Sequence, residues 1–238
     1  MGDPAGIGPE ITLKAYQRRS DRSLTPFAIY ACPKTLHDRA RMLGIEVAIA
    51  EIESPGAALS VFASKLPVIP VPLARAAKPG APAPENGMAT IGAIERATQA
   101  VVAGEALALV TNPIAKSVLY AAGFVHPGHT EFLAALAEAL VPGRRYHPVM
   151  MLASDQLRVV PATIHIPLAE VPRSLTRPLL SQTIHTAYLS LKGDFGIAEP
   201  RIAVTGLNPH AGEGGTMGRE EADLIQPVIG ELRREGIG

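Results

Sequence analysis

The stretch that most restricts the possible folds of this chain runs from Thr205 to Glu221. The apolar run Arg201 to Thr205 reads as a strand and halts at Gly206. After it come Leu207-Asn208-Pro209-His210-Ala211-Gly212-Glu213-Gly214-Gly215-Thr216-Met217-Gly218-Arg219-Glu220-Glu221, a glycine-dense loop and then the acidic opening of a helix. Gly212, Gly214, Gly215 and Gly218 allow positive φ and let the backbone come close to a ligand. A plain turn needs far fewer such residues, and long loops of this kind are usually functional. A rigid sheet must hold such a loop at a strand end, which points to an α/β protein with its chemistry in the loops.

The rest of the chain fits that class. Gly2-Asp3-Pro4-Ala5-Gly6-Ile7-Gly8-Pro9-Glu10 is a second glycine- and proline-rich loop, and Pro9 suits the first turn of a helix running to about Arg19. Phe27 to Cys32 reads as a strand, Pro33 to Leu43 as a helix closed by Gly44, and Glu46 to Ala50 as another strand. Leu66 to Leu73 is apolar but carries Pro67, Pro70 and Pro72, so an edge or irregular segment is expected. A Pro/Ala/Gly linker over 78–84 suggests an N-terminal α/β region, 1–84, and a second α/β region, 85–238, or one continuous domain pair.

Helical spacing recurs over 86–104, and Ala106 to Val110 reads as a buried strand that ends in Thr111-Asn112-Pro113. A helix carrying Lys116 follows. Thr130 is placed to cap the helix Glu131 to Leu140. Pro148 to Ala153 and Leu157 to Ile164 suggest a hairpin, so the sheet is expected to be mixed. Thr176 is placed to cap a long helix ending at Gly193, and the last helix is interrupted at Pro227. The pattern predicts a three-layer α/β/α fold. The chain opens on a loop motif and closes just after a helix, so truncation at the C-terminus is expected.

Composition removes several function classes. In 238 residues, 22 basic and 22 acidic side chains balance, which gives no support to nucleic-acid binding. The single cysteine, Cys32, rules out an internal disulfide and a cysteine-based zinc site; its apolar strand suggests a core position in a reducing cytoplasm. No signal-peptide pattern opens the sequence, and no apolar run is long enough for a membrane span.

Among the seven histidines, His37, His185, His126 and His147 have ordinary helical or proline-flanked contexts. His129 lies in Pro127-Gly128-His129-Thr130-Glu131, beside a helix start whose free N–H groups suit an anion. His165 ends an apolar run and His210 sits in the long loop. Imidazoles at two strand ends are candidates for a divalent metal, and equally for satisfied loop histidines. Asp3, Glu213 and Lys116 are the charged members of these loops. Asp3 suits a ribose hydroxyl or a metal-bound water, and Lys116 suits a carboxylate or phosphate, or plain solvent. The Gly6-Ile7-Gly8 element lacks the third glycine and the preceding strand of a dinucleotide fingerprint.

Taken in order, Gly2 to Glu10, Thr111 to Lys116, Gly128-His129-Thr130-Glu131-Phe132, Val149 to Leu152, Thr163 to Leu168 and Gly206 to Glu221 resemble the 4-hydroxythreonine-4-phosphate dehydrogenase family of pyridoxal phosphate biosynthesis. The resemblance implies a fold like that of isocitrate and isopropylmalate dehydrogenases. It also implies a homodimer with active sites shared between subunits. The implied reaction is NAD- or NADP-dependent oxidation of 4-phosphooxy-L-threonine, then decarboxylation to 3-amino-2-oxopropyl phosphate. By the same resemblance His165 and His210 bind a divalent metal (Zn, Mg or Co), and His129 and Thr130 contact the substrate. Lys116 and Asp3 are taken as catalytic. The third metal histidine and further substrate ligands of the family are expected beyond Gly238, so these residues alone are expected to have little activity. Cofactor-contacting residues are not assigned. Two rival readings are a dehydrogenase of a four-carbon sugar-acid phosphate (erythronate or threonate 4-phosphate) and a metal-dependent hydrolase.

Overall fold

The computed structural model describes residues 1–238, which form two compact units, Met1–Tyr146 and His147–Gly238. The first opens with helix α1 (Gly8–Gln17), which has proline in its first turn. Strand β1 (Ile29–Ala31), helix α2 (Pro33–Leu43), strand β2 (Ile49–Glu51), the short helix α3 (Ala58–Val61) and strand β3 (Leu66–Pro70) follow. Helix α2 stops where anticipated, at Gly44, whose φ of 63° belongs to the left-handed region that glycine tolerates.

The three strands pair in parallel in the order β1-β3-β2, with Ile29 opposite Val68 and Ile49 opposite Leu66. Leu66 and Val68 pack against Leu13 and Tyr16 of α1 and Leu36 and Ala40 of α2. On the other face Ile69 packs with Ile52 and Ala58. Helix α4 (Gly87–Val102) also reaches this face, where Arg96 lies 5.2 Å over the Tyr30 ring and donates to Pro70 O at 2.9 Å. The layers are therefore helix, sheet, helix. Each fully buried leucine contributes about 1.5–3 kcal/mol relative to exposure.

β3 is the central strand, not the edge its prolines suggest. Leu66 N–H reaches Ala48 O on the β2 side and Val71 N–H reaches Ala31 O on the β1 side. Extending that alternation, the donors that Pro67 and Pro70 lack would have faced Phe27 and Ile52. Both residues lie just outside their strands. Pro67 and Pro70 stand in register opposite Ala50 and Ala31, so they lie within the central strand, and the donors they lack fall at the margins of its ladders.

Helices α4, α5 (Lys116–Ala121) and α6 (His129–Leu140) enclose a separate core of Ile91, Ile94, Leu119, Phe124 and Phe132. The expected strand Ala106 to Val110 does not form. Leu107 is 97% and Val110 91% exposed, and no strand lies alongside to supply ladder bonds. Cys32 is half-buried at the start of α2 and not in the core. The 78–84 linker falls inside the first unit.

The second unit begins with the anticipated hairpin, β4 (Leu152–Ala153) antiparallel to β5 (Arg158–Val159). It pairs only with itself, so parallel and antiparallel ladders occupy two sheets. Helices α7 (Val171–Ser174), α8 (Arg177–Gly193) and α9 (Gln226–Arg234) follow, with a core of Leu180, Ile184, Val228 and Leu232. Thr176 caps α8, its hydroxyl accepting Leu179 N–H at 3.3 Å. Arg201 to Thr205 alternates as a strand would, with Ile202 and Val204 against the helices, but no second strand pairs with it. No helix of the structure is long and apolar enough to cross a membrane.

Candidate functional site

In the first unit, two loops are clamped backbone to backbone. Asp3 N–H donates to Pro113 O at 3.0 Å, and Thr90 donates its hydroxyl to Gly2 O at 3.0 Å. Gly2 has φ 69°, and a side chain there would collide with Pro113 O. Asp3 is buried, and its Oδ1 accepts Ala5 N–H at 2.9 Å. One of its oxygens is therefore committed to shaping the loop. The buried guanidinium of Arg39 donates to Gly6 O at 3.0 Å and lies 3.6 Å from Glu10. From the clamped Asn112–Pro113 segment the chain enters α5, whose first residue, Lys116, presents its ammonium to solvent.

His129 is the first residue of α6 and is half-buried. Burial pushes its imidazole below the usual histidine range, and the nearby terminal ammonium of Met1 acts in the same direction. The ring is neutral at pH 7 and lies near the first loop. Thr130 does not cap this helix. Gly128, with extended backbone, takes the cap position and no side chain closes the turn. Thr130 is left exposed in the first turn of the helix, where the N–H groups have no side-chain cap.

In the second unit the Gly206–Gly218 loop is tightly wound. Ala211, Gly212, Glu213, Gly214, Gly215 and Gly218 all have positive φ. Two of these are not glycine, and such residues are held in place only by surrounding bonds. Asn208 is the hub of those bonds. Its Oδ1 accepts His210 N–H at 2.9 Å, and its Nδ2 donates to Met217 O at 3.1 Å. The exposed His210 ring places Nδ1 2.8 Å from Glu213 Oε1. An ionised carboxylate only accepts, so Nδ1 carries the proton and the Nε2 lone pair is left free. Glu213, singled out from the sequence only as a charged loop residue, orients the histidine. His165 is exposed, with φ 56°.

The segments following His165 and preceding His210 share one cavity of about 350 Å³. Leu168, Val171 and Pro172 line one part of it, and Asn208, Pro209 and Met217 another. A second hollow of about 260 Å³, against Ile184, Ile202 and Leu232, has no candidate residue in its wall. No group of three His, Cys, Asp or Glu side chains in the structure is placed to hold a metal ion.

Sequence reasoning missed Asn208 and Glu221 as site residues. Glu221 opens the π-helical turn Glu221–Ile225 before α9 and is only 6% exposed. Its Oε1 accepts Asn208 N–H at 3.0 Å, which holds the carboxyl below the usual carboxylate range. The available signal was an acidic residue at the helix start just after the glycine loop.

Comparison with known proteins gives these loops their context. Residues 22–238 match the family described as pyridoxal phosphate biosynthetic protein PdxA. A 4-hydroxythreonine-4-phosphate dehydrogenase of Methylorubrum extorquens is 49% identical over 241 residues, an alignment that covers 100% of this chain and 68% of that protein. The chain belongs to the PdxA family. Its fold agrees: the crystal structure of a 4-hydroxythreonine-4-phosphate dehydrogenase from Burkholderia phymatum superposes with a TM-score of 0.87 at 32% identity, covering 100% of this chain and 70% of that one. A terephthalate 1,2-cis-dihydrodiol dehydrogenase from Burkholderia xenovorans is more distant, with a TM-score of 0.62 and 28% identity over 99% of this chain and 69% of that one.

Proposed function

We propose that this chain carries out the NAD(P)-dependent, divalent-metal-dependent oxidation of 4-phosphooxy-L-threonine and its decarboxylation to 3-amino-2-oxopropyl phosphate in pyridoxal 5'-phosphate biosynthesis. It would do so as a cytoplasmic homodimer with an active site shared between subunits. The observation that carries this reading is the common cavity flanked by the His165 and His210 segments. Exposed imidazoles fit a divalent metal, and the Glu213 carboxylate leaves His210 Nε2 free to bind one. These two side chains supply part of a ligand set and do not complete it. A metal held there would polarise the substrate hydroxyl as a Lewis acid.

The first unit, taken by itself, carries residues of a kind that suit a phosphorylated substrate. A neutral His129 and the Thr130 hydroxyl stand at a helix start whose uncapped N–H groups favour a phosphate. Lys116 adds a mobile positive charge. Asp3, one oxygen committed to Ala5, has the other to offer as acceptor.

The test is a steady-state assay with 4-phosphooxy-L-threonine, NAD⁺ or NADP⁺, and Zn²⁺, Mg²⁺ or Co²⁺ in turn. Metal-dependent formation of reduced nicotinamide with release of carbon dioxide is expected, and His210→Asn should lower it by about 100-fold or more. Absence of nicotinamide reduction with every metal would overturn the reading. The likeness to a dihydrodiol dehydrogenase favours one second reading, the same oxidation applied to another substrate. Erythronate and threonate 4-phosphates in the same assay test it; faster turnover of either would replace the substrate and keep the chemistry.

A further inference from the structure

We infer that Glu221 is a positioning residue that fixes the loop carrying His210 in the conformation that presents its imidazole; the inference rests on the reading of His210 as a site residue. Glu221 makes no hydrogen bond to the imidazole and is not itself a lining residue of the cavity. It acts through Asn208. The carboxylate Oε1 takes Asn208 N–H at 3.0 Å, and the Asn208 side chain holds His210 N–H at 2.9 Å and Met217 O at 3.1 Å. One buried carboxylate thus sets the residue that ties both arms of the loop.

Two glycines are shaped to this carboxylate. A side chain at Gly206 would come 3.2 Å from Glu221 Oε1, and one at Gly212 would come 3.1 Å from Oε2 and 2.7 Å from Gly218 O. The loop backbone therefore lies directly on the carboxylate, and the glycines are what allow it. Ala211 and Glu213, at φ 48° and 41°, occupy a region that L side chains avoid. Without an anchor the loop would relax, and the Glu213 contact that orients the His210 ring would go with it. Oε2 is the one buried side-chain polar atom in the structure without a hydrogen-bond partner. A carboxylate kept there despite an unpaired oxygen is held for its accepting atom, because an apolar residue would fill the space without that penalty.

The decisive comparison uses three variants of the intact chain: Glu221→Gln, Glu221→Ala and His210→Asn. Gln keeps an accepting oxygen at the same reach. Two readouts are needed, amide hydrogen exchange at Asn208 and His210, and Co²⁺ binding by calorimetry. For Glu221→Ala, protection at these two amides should fall by about tenfold. Co²⁺ affinity should weaken by about tenfold or more, the scale typical of groups that orient a metal ligand. Glu221→Gln should restore both to within about threefold of the parent chain. Unchanged exchange in Glu221→Ala, or a Gln variant as impaired as Ala, would overturn the proposal. If Glu221→Ala does not fold, the Gln variant decides alone, since retained protection and affinity require only the acceptor. Co²⁺ affinity untouched by His210→Asn would instead defeat the metal reading, while the exchange data still judge Glu221.

Discussion

At the scale of single residues, the site depends on a few protonation states and one carboxylate network. His129 has its imidazole pushed below the ordinary value near 6.5, chiefly by burial. The unfolded chain therefore binds the proton more readily than the folded one. Its contribution to stability is complete above the unfolded value and declines as the pH falls from there through the lower folded value. In a proton-monitored titration the His129 midpoint should lie below the ordinary histidine value of 6.5. Replacing His129 with Gln should flatten the loss of stability between pH 6.5 and the lower midpoint. A midpoint at or above 6.5 would contradict the assignment. His129 and His210 were visible in the sequence because each stands beside glycine or proline in a loop, and His165 because it ends an apolar run. Glu221 was not, because its importance lies in two hydrogen-bonded atoms that only the folded loop brings to it.

Among the secondary elements, the two threonines expected as helix caps part company. Thr176 has extended backbone and accepts Leu179 N–H, so Thr176→Ala should destabilise by about 1 kcal/mol. Thr130 lies within α6 behind Gly128, and Thr130→Ala should change stability by less than about 0.5 kcal/mol. Urea unfolding of the two variants side by side checks the contrast, and equal losses would refute it. Helices such as α2 were legible to the residue because Pro33 and Gly44 mark both ends locally. Strands were not. Ala106 to Val110 and Arg201 to Thr205 have strand composition, yet a strand exists only when a neighbour supplies its hydrogen bonds. β3 shows the converse, where prolines that argued for an edge lie within the central strand.

For the molecule as a whole, the chain divides at Tyr146/His147, well beyond the proline-rich linker that the sequence offers as a boundary. The linker at 78–84 looks flexible by composition but lies within the first unit, where Gly80 N–H donates to Ala5 O at 2.9 Å. Arg144 and Arg145 are exposed at the true division. Limited trypsin treatment should therefore nick there first and yield fragments matching 1–144 or 1–145 and the remainder. First cleavage at Lys78 in the linker would place the boundary where composition suggested. Proline and glycine content describes local backbone preference and says nothing of which contacts cross a segment.

The sequence by itself determined the α/β class, the helix ends marked by proline and glycine, and the loops that carry His129, His165 and His210. These follow from local rules: periodicity, backbone freedom and side-chain chemistry act over a few residues. The tertiary structure alone decided which apolar runs become strands, which proline-bearing segment lies at the centre of a sheet, and how Glu221 reaches Asn208. Each of these depends on a partner distant in the chain or on a turn whose shape is set by several bonds at once. Local preference sets the candidates, and hydrogen bonding across the fold selects among them.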